Sequence, residues 1–342
     1  MRLSTVPGRL LRKLGRSSLP FDMFDGARSD AEARRARKME SIYHVGQNRI
    51  WDGREVLAEL IAKHGPPRLP DDKRKALAQV FAIIMWGELA AWKISAQLAD
   101  ALEPLEAKLA ATSQAHDEAR HFYVMHDYLD ALGQKAEPMG FWSQRVLELT
   151  LGTPDLVKKL LGMQLTVEMI ALVIFQRVRE LEVEPVLTEL LPYYERDEAR
   201  HVGLGVQLVP QMMNALSVPG MLDVALFQLD MLATTLLALK AIEPDLVMLG
   251  VDPRSMLGLA FRKQSEVDAA IKKEFPLWPE DPPVRRTFEG LCEVLFPSEG
   301  QDARVPLAVR ISHGMQVITR ARKGVVEQWG VHGEKARAAN AA

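Results

Sequence analysis

Asp117-Glu118-Ala119-Arg120-His121 occurs twice in this chain, the second time as Asp197-Glu198-Ala199-Arg200-His201. The offset that carries the first pentad onto the second also carries Glu88 onto Glu168, so a further glutamate precedes each pentad at the same spacing. Residues three apart are neighbours on a helix surface, so Glu118 with His121, and Glu198 with His201, present a carboxylate and an imidazole to one side. Two such helices, each with a partner helix supplying one further Glu, describe a four-helix bundle with a dinuclear carboxylate site in its core. One Glu-x-x-His arises often by chance. Two identical pentads, each preceded at equal spacing by a Glu in an apolar run, do not.

The surrounding sequence supplies the helices. The first should start at Pro70-Asp71-Asp72, with acids at its positive end, and run to about Ala101. Val80, Ile83, Ile84, Trp86, Leu89, Trp92 and Ile94 make it apolar nearly all round, which predicts burial on several sides. Glu88 lies inside that run, where an uncompensated charge would cost several kcal/mol and a cation would answer it. The second helix should begin near Pro104 and end before Gly133. After a connection with a helical piece near 141–150, Thr153-Pro154 reads as the start of a third helix, about 154–182, holding Glu168. Glu184-Pro185 opens the fourth, bent by Pro192 and Pro210. At 1.5 Å rise per residue, Glu88 and Glu118 each lie roughly 21–24 Å from the turn that joins their helices, so they return to the same height, and the second pair repeats this.

The expected class is all-α: an extended four-helix bundle spanning 70–215. Around it come a basic arm over 1–38, a docking helix and linker over 39–69, further helices over 216–332 and a disordered tail over 333–342. Hydrophobic residues make up 48% and charged residues 26% of the chain, and the net charge is −2, which speaks against a general nucleic-acid binder. The single cysteine, Cys292, excludes a disulfide framework and any cluster held by several thiolates, and it fits a reducing cytoplasm. The most apolar run, near 220–240, carries Asp223, Gln228, Asp230 and Lys240 and reads as a packed helix; no transmembrane segment is expected.

Glu and His without thiolate suit iron, manganese or zinc, and two adjacent dications would let four carboxylates stay ionised side by side. Asp117, Asp197, Arg120 and Arg200 fit the role of outer partners: a metal-bound His usually gives its other N–H to a carboxylate, and Arg can hold that carboxylate in a fork. Glu88, Glu168 and Tyr194 are the candidate catalytic residues; Tyr194, one turn before Glu198, can face the metals or be a buried Tyr with a satisfied hydroxyl. Trp92, Met125, Leu172, Phe175 and Leu204 are candidates for an apolar pocket, and Gly203 and Gly205 for the space beside His201.

Over about residues 72–212 the pattern resembles the ferritin-like dinuclear iron carboxylate oxygenases and oxidases, whose motif is a Glu followed at a distance by D-E-x-R-H, in two halves. The resemblance implies that Glu118 and Glu198 bridge two iron ions, or a Mn/Fe pair, with Glu88 and Glu168 as terminal or shifting ligands. It implies O2 as co-substrate and pairs Asp117 with His201 and Asp197 with His121. Met125 replaces the radical tyrosine of the ribonucleotide reductase small subunit, and Tyr194 the extra histidine of arylamine N-oxygenases, which points away from both. The implied activity is O2-dependent hydroxylation, desaturation or N-oxidation of a small apolar molecule. Electrons would come from a ferredoxin or reductase, since no flavin, nicotinamide or iron–sulfur motif is present, and a homodimer is allowed. The alternative is iron handling as a ferroxidase or peroxidase.

Overall fold

The computed structural model describes residues 37–274, 283–297 and 305–331. Nearly all of the arm, most of the 276–283 proline link and the 333–342 tail lie outside them. Among the described residues there is no strand. The all-α expectation holds.

Four long helices make the bundle: α3 (Asp71–Ala101), α4 (Leu105–Ala131), α8 (Pro185–Met213) and a composite third. That third helix consists of α6 (Leu156–Gly162), a π turn (Met163–Val167) and α7 (Glu168–Glu180). α3 packs along α4 and α7 along α8. The third helix starts later than Thr153-Pro154 suggested. Asp155 is the residue that caps it, accepting from the Val157 and Lys158 amides, while the Thr153 hydroxyl accepts from the Asp155 amide. α8 runs through both Pro192 and Pro210.

The apolar core is split at one height. One cluster takes Leu77, Phe81 and Met85 before Glu88, Met125 and Tyr128 after His121, Phe175 after Glu168, and Leu187 and Tyr194 before Glu198. The other takes Ile94 and Leu98 after Glu88, Ala107 and Ala111 before Glu118, Leu160 and Met163 before Glu168, and Leu204 and Leu208 after His201. The four glutamates and two histidines therefore form a polar layer between two greasy ones. Fully burying one leucine contributes about 1.5–3 kcal/mol, so the clusters on both sides can carry a layer that is costly to bury.

Where one docking helix was expected there are two, α1 (Arg37–Asn48) and α2 (Gly53–His64), separated at Trp51 by the Asp52 cap. Both pack on α4 and α8. The opposite face, formed by α3 and the third helix, is covered by α5 (Phe141–Gly152), α9 (Val218–Ala241) and α11 (Pro253–Glu274). α10 (Glu243–Met248) docks on α3, and α12 (Pro283–Leu295) pairs with α13 (Leu307–Ile318) over a satellite core around Leu236, Phe261 and Cys292.

Two helices are long and apolar enough to cross a membrane by length and composition, α3 and α9. The first is the bundle's own Glu88 helix. The second packs against α5, α6 and α12, and its Asp223 is paired with Lys158. α3 is less enclosed than its composition suggested: Leu89 and Trp92 lie on an exposed edge.

Candidate metal centre

Glu88 lies as far from the end of α3 at Ala101 as Glu118 lies from the start of α4 at Leu105. Glu168 and Glu198 are placed in nearly the same way on the second pair. All four carboxylates and both imidazoles are buried. Their ligand atoms fall into two overlapping sets, Glu88, Glu118, His121 and Glu198, and Glu118, Glu168, Glu198 and His201; within each set one ligand atom from every residue lies within 4.8 Å of the others. Glu118 and Glu198 belong to both.

Each imidazole turns Nδ1 inward. His121 Nδ1 is 3.0 Å from Glu198 and 3.4 Å from Glu118; His201 Nδ1 is 2.8 Å from Glu198 and 3.0 Å from Glu118. Each turns Nε2 outward to the aspartate of the other pentad: His121 to Asp197 at 3.3 Å, His201 to Asp117 at 3.4 Å. The aspartates are locked in turn by two arginines. Arg120 donates to Asp117 and Asp197 at 2.6 and 2.9 Å, and Arg200 donates to both at 2.7 Å. The result is a closed ring, each Arg bridging both Asp, on the α4–α8 face.

The donor set fits a pair of metal ions. Glu118 Oε2 and Glu198 Oε1 lie 3.4 and 3.0 Å from His121 Nδ1, and all three atoms are buried, yet none of them makes an aligned hydrogen bond. A buried polar atom without a partner costs about 1–3 kcal/mol, and two shared carboxylates with one imidazole each are ligands a dication would satisfy.

The groups of the cluster shift one another's proton affinities. Burial, reinforced by the Glu198 charge, pushes the Glu88 and Glu168 carboxyls well above the usual range. Burial acts against charge at His121 and His201, but the surrounding carboxylates outweigh it and raise both imidazoles well above their ordinary value. Burial likewise opposes ionisation of Glu118, yet the two imidazoles hold it well below. Groups with raised values hold their protons more tightly than usual, and metal must displace those protons. Loading with a divalent cation should therefore release protons, and affinity should fall as pH falls. Calorimetric titration with Co2+ at several pH values, in buffers of different ionisation enthalpy, measures this; a pH-independent affinity would contradict it.

Tyr194 is fully buried, stacks on the His121 ring at 4.4 Å and donates its hydroxyl to the His121 carbonyl at 2.8 Å. Burial raises its phenol well above the ordinary value. It braces the His121 imidazole while its hydroxyl is held by the backbone.

Three neighbours were not singled out from the sequence. Trp51 donates to Asp197 at 2.8 Å and lies under the Arg120 guanidinium. Gln114 donates to Glu118 at 3.0 Å and to Glu168 at 2.9 Å, and Gln164 donates to Gln114 at 3.3 Å. The offset between the pentads carries Gln114 onto Tyr194, so the duplication itself offered a signal for it. Trp51 is far from its partner in the chain, and nothing local marks it.

The π turn lies directly before Glu168. The Glu168 amide reaches back to the Met163 carbonyl, one residue further than in an α-helix, which widens the helix where its carboxylate enters the cluster. Gly205 on α8 lets this turn approach, since a Cβ there would meet Gln164 at 2.8 Å and Leu165 at 2.9 Å.

On the other face of the bundle, a cavity of about 490 Å³ reaches the centre. Glu88 and Glu168 are the members of the two ligand sets that line it, beside Gly87, Leu165, Ile174, Val224 and Leu236. None of Trp92, Met125, Leu172, Phe175 or Leu204 contributes to it. Met125, Phe175 and Leu204 fill core, Trp92 is exposed, and the cavity opens instead under α9, a helix outside the repeated unit. Gly205, thought to leave space beside His201, is filled by the π turn.

The sequence matches no protein-family model, and no curated protein matches it. Among solved structures, it is similar to a point mutant of an R2-like ligand-binding oxidase with an aerobically reconstituted Mn/Fe cofactor. The identity is 12%, over 85% of this chain and 93% of that one, with a TM-score of 0.43. So faint a likeness carries no argument about this chain.

Proposed function

We propose that this protein is a dinuclear iron oxygenase or oxidase that uses O2 on a small apolar organic molecule. The observation that supports this reading most is the apolar cavity ending on Glu88 and Glu168. It places a water-poor space beside the two carboxylates that belong to only one ligand set each. Two iron ions held by Glu88, Glu118, His121, Glu168, Glu198 and His201 would supply the electrons and Lewis acidity that O2 reduction needs.

The chain's own residues divide the work. Glu118 and Glu198 span both metal positions. Asp117 and Asp197 accept from the Nε2 side of the imidazoles, which fixes the tautomer that leaves Nδ1 free for metal and raises its basicity. Arg120 and Arg200 hold those aspartates. The walls from α5, α7, α9 and α11 exclude water from the reacting space. Glu88 and Glu168 are the groups positioned to hold or pass a proton at the cavity wall. Electrons would come from an external ferredoxin or reductase, in a reducing cytoplasm.

Rapid mixing of the diferrous protein with O2, with and without apolar candidates, tests the proposal. Acceleration of O2 consumption and an oxidised organic product are expected. Iron oxidation with no effect of any organic molecule, followed by mineral formation, would instead establish iron handling. Ala225→Trp, which fills the cavity from α9, should leave two metals bound yet lower product formation at least tenfold. Unchanged turnover in that variant would place the substrate elsewhere.

A further inference from the structure

The two metal positions carry the same ligands but different supports, and the difference falls on one pair of repeat-related residues. One turn before Glu198 stands Tyr194; at the same place before Glu118 stands Gln114. Tyr194 sends its hydroxyl away to a backbone carbonyl and offers the cluster only a ring face. Gln114 sends its amide into the cluster. It is buried, and its Nε2 group donates to Glu168 Oε1 and to Glu118 Oε1; Glu118 serves both positions, but Oε1 is its oxygen on the His201 side, 3.0 Å from His201 Nδ1, while Oε2 is the one beside His121. An amide can be flipped end for end, but here Gln164 donates to the Gln114 oxygen, which keeps the nitrogen facing the carboxylates.

Among the described residues, no side-chain amide serves Glu88 in the same way. The ion pair the structure gives Glu88 is with His121, at 3.5 Å. That imidazole nitrogen is itself a ligand atom, so a metal would take this partner from Glu88. Glu168 keeps its amide donor when a metal arrives, because Gln114 occupies one carboxylate oxygen and leaves the other.

We infer that Gln114, oriented by Gln164, is a positioning residue that preorganises the metal position of Glu168 and His201 and leaves the position of Glu88 and His121 the weaker and more exchangeable one. This rests on the ligand sets and not on the oxygenase reading, so it can fail while that reading stands. Outer hydrogen-bond partners of metal ligands are typically worth about 10–100-fold in affinity, and Gln114 should act at one equivalent only.

The experiment is Co2+ titration of the whole, metal-depleted protein, followed by calorimetry and by the visible ligand-field bands, whose intensity reports coordination number. The wild-type protein should bind two equivalents in distinct steps. Gln114→Leu should weaken the tighter step at least tenfold and alter its band, bringing the two steps together. Gln164→Leu should do the same more weakly. Two backgrounds assign the step. With His121→Ala, which leaves the His201 position, Gln114→Leu should weaken Co2+ binding; with His201→Ala it should not. Equal weakening in both backgrounds, or none in either, would overturn the inference. A variant that merely disturbs the fold would shift both steps and the melting curve of the metal-free protein together, and that outcome also counts against it.

Discussion

Glu118→Ala should abolish loading of the metal pair, and His201→Ala should leave at most one ion per chain. The two outcomes differ because Glu118 contributes to both ligand sets while His201 contributes to one. Losing an outer partner of a metal ligand costs about 10–100-fold in affinity, and losing the ligand itself costs more. Metal counts per chain after anaerobic loading with Fe2+ check this; two irons in either variant would refute the assignments. The metal-free form should also lose stability, because Glu118 is a fully buried carboxylate that both imidazoles hold ionised and that accepts from Gln114. Removing it strands those partners, and the desolvation cost it relieves offsets only part of that loss. Thermal melts should therefore show a lower midpoint for metal-free Glu118→Ala than for metal-free wild type, and the stabilisation that wild-type protein gains on metal loading should vanish in the variant.

Asp197→Ala should bring a large loss of stability in the metal-free protein. Asp197 is buried and accepts from Trp51, Arg120, Arg200 and Arg196 and from the His121 side. Removing one member of a buried ionic network strands the others, at about 3–5 kcal/mol. That is a large share of the roughly 5–15 kcal/mol by which a domain is stable. Asp117→Ala makes the matched comparison, since it also breaks the ring but leaves Trp51 and Arg196 with their partner; its loss should be smaller. Urea unfolding of metal-free samples measures both, and equal losses would remove Trp51 from the account.

Burial works against the Asp197 charge, but the His121 contact and the Arg200 charge outweigh it and hold its carboxyl far below the usual range. A group whose value is depressed on folding stabilises above its unfolded value of about 3.9, and loses that contribution as pH falls through the folded one. The difference between wild type and Asp197→Ala should therefore be full at neutral pH and narrow in acid.

The sequence by itself determined the chemistry of the centre. Its information there is local: Glu and His three apart on one helix face, a pentad written twice, and lone glutamates in apolar runs where only a cation answers the charge. Helix lengths did the rest, because equal distances from a turn bring two side chains to one height. Tertiary structure alone decided the supports, for a physical reason. Trp51 reaches Asp197, each Arg bridges both Asp, and Gln114 reaches Glu168 across gaps in sequence that no periodicity spans. The π turn before Glu168 has no marker in residue type, since it is fixed by what α8 allows beside Gly205. The cavity went unread for the same reason. Its walls join α3 and the third helix to α5, α9 and α11, whose apolar residues look the same in sequence whether they fill a core or line a space, and only the packing of those outer helices over Glu88 and Glu168 leaves that space open.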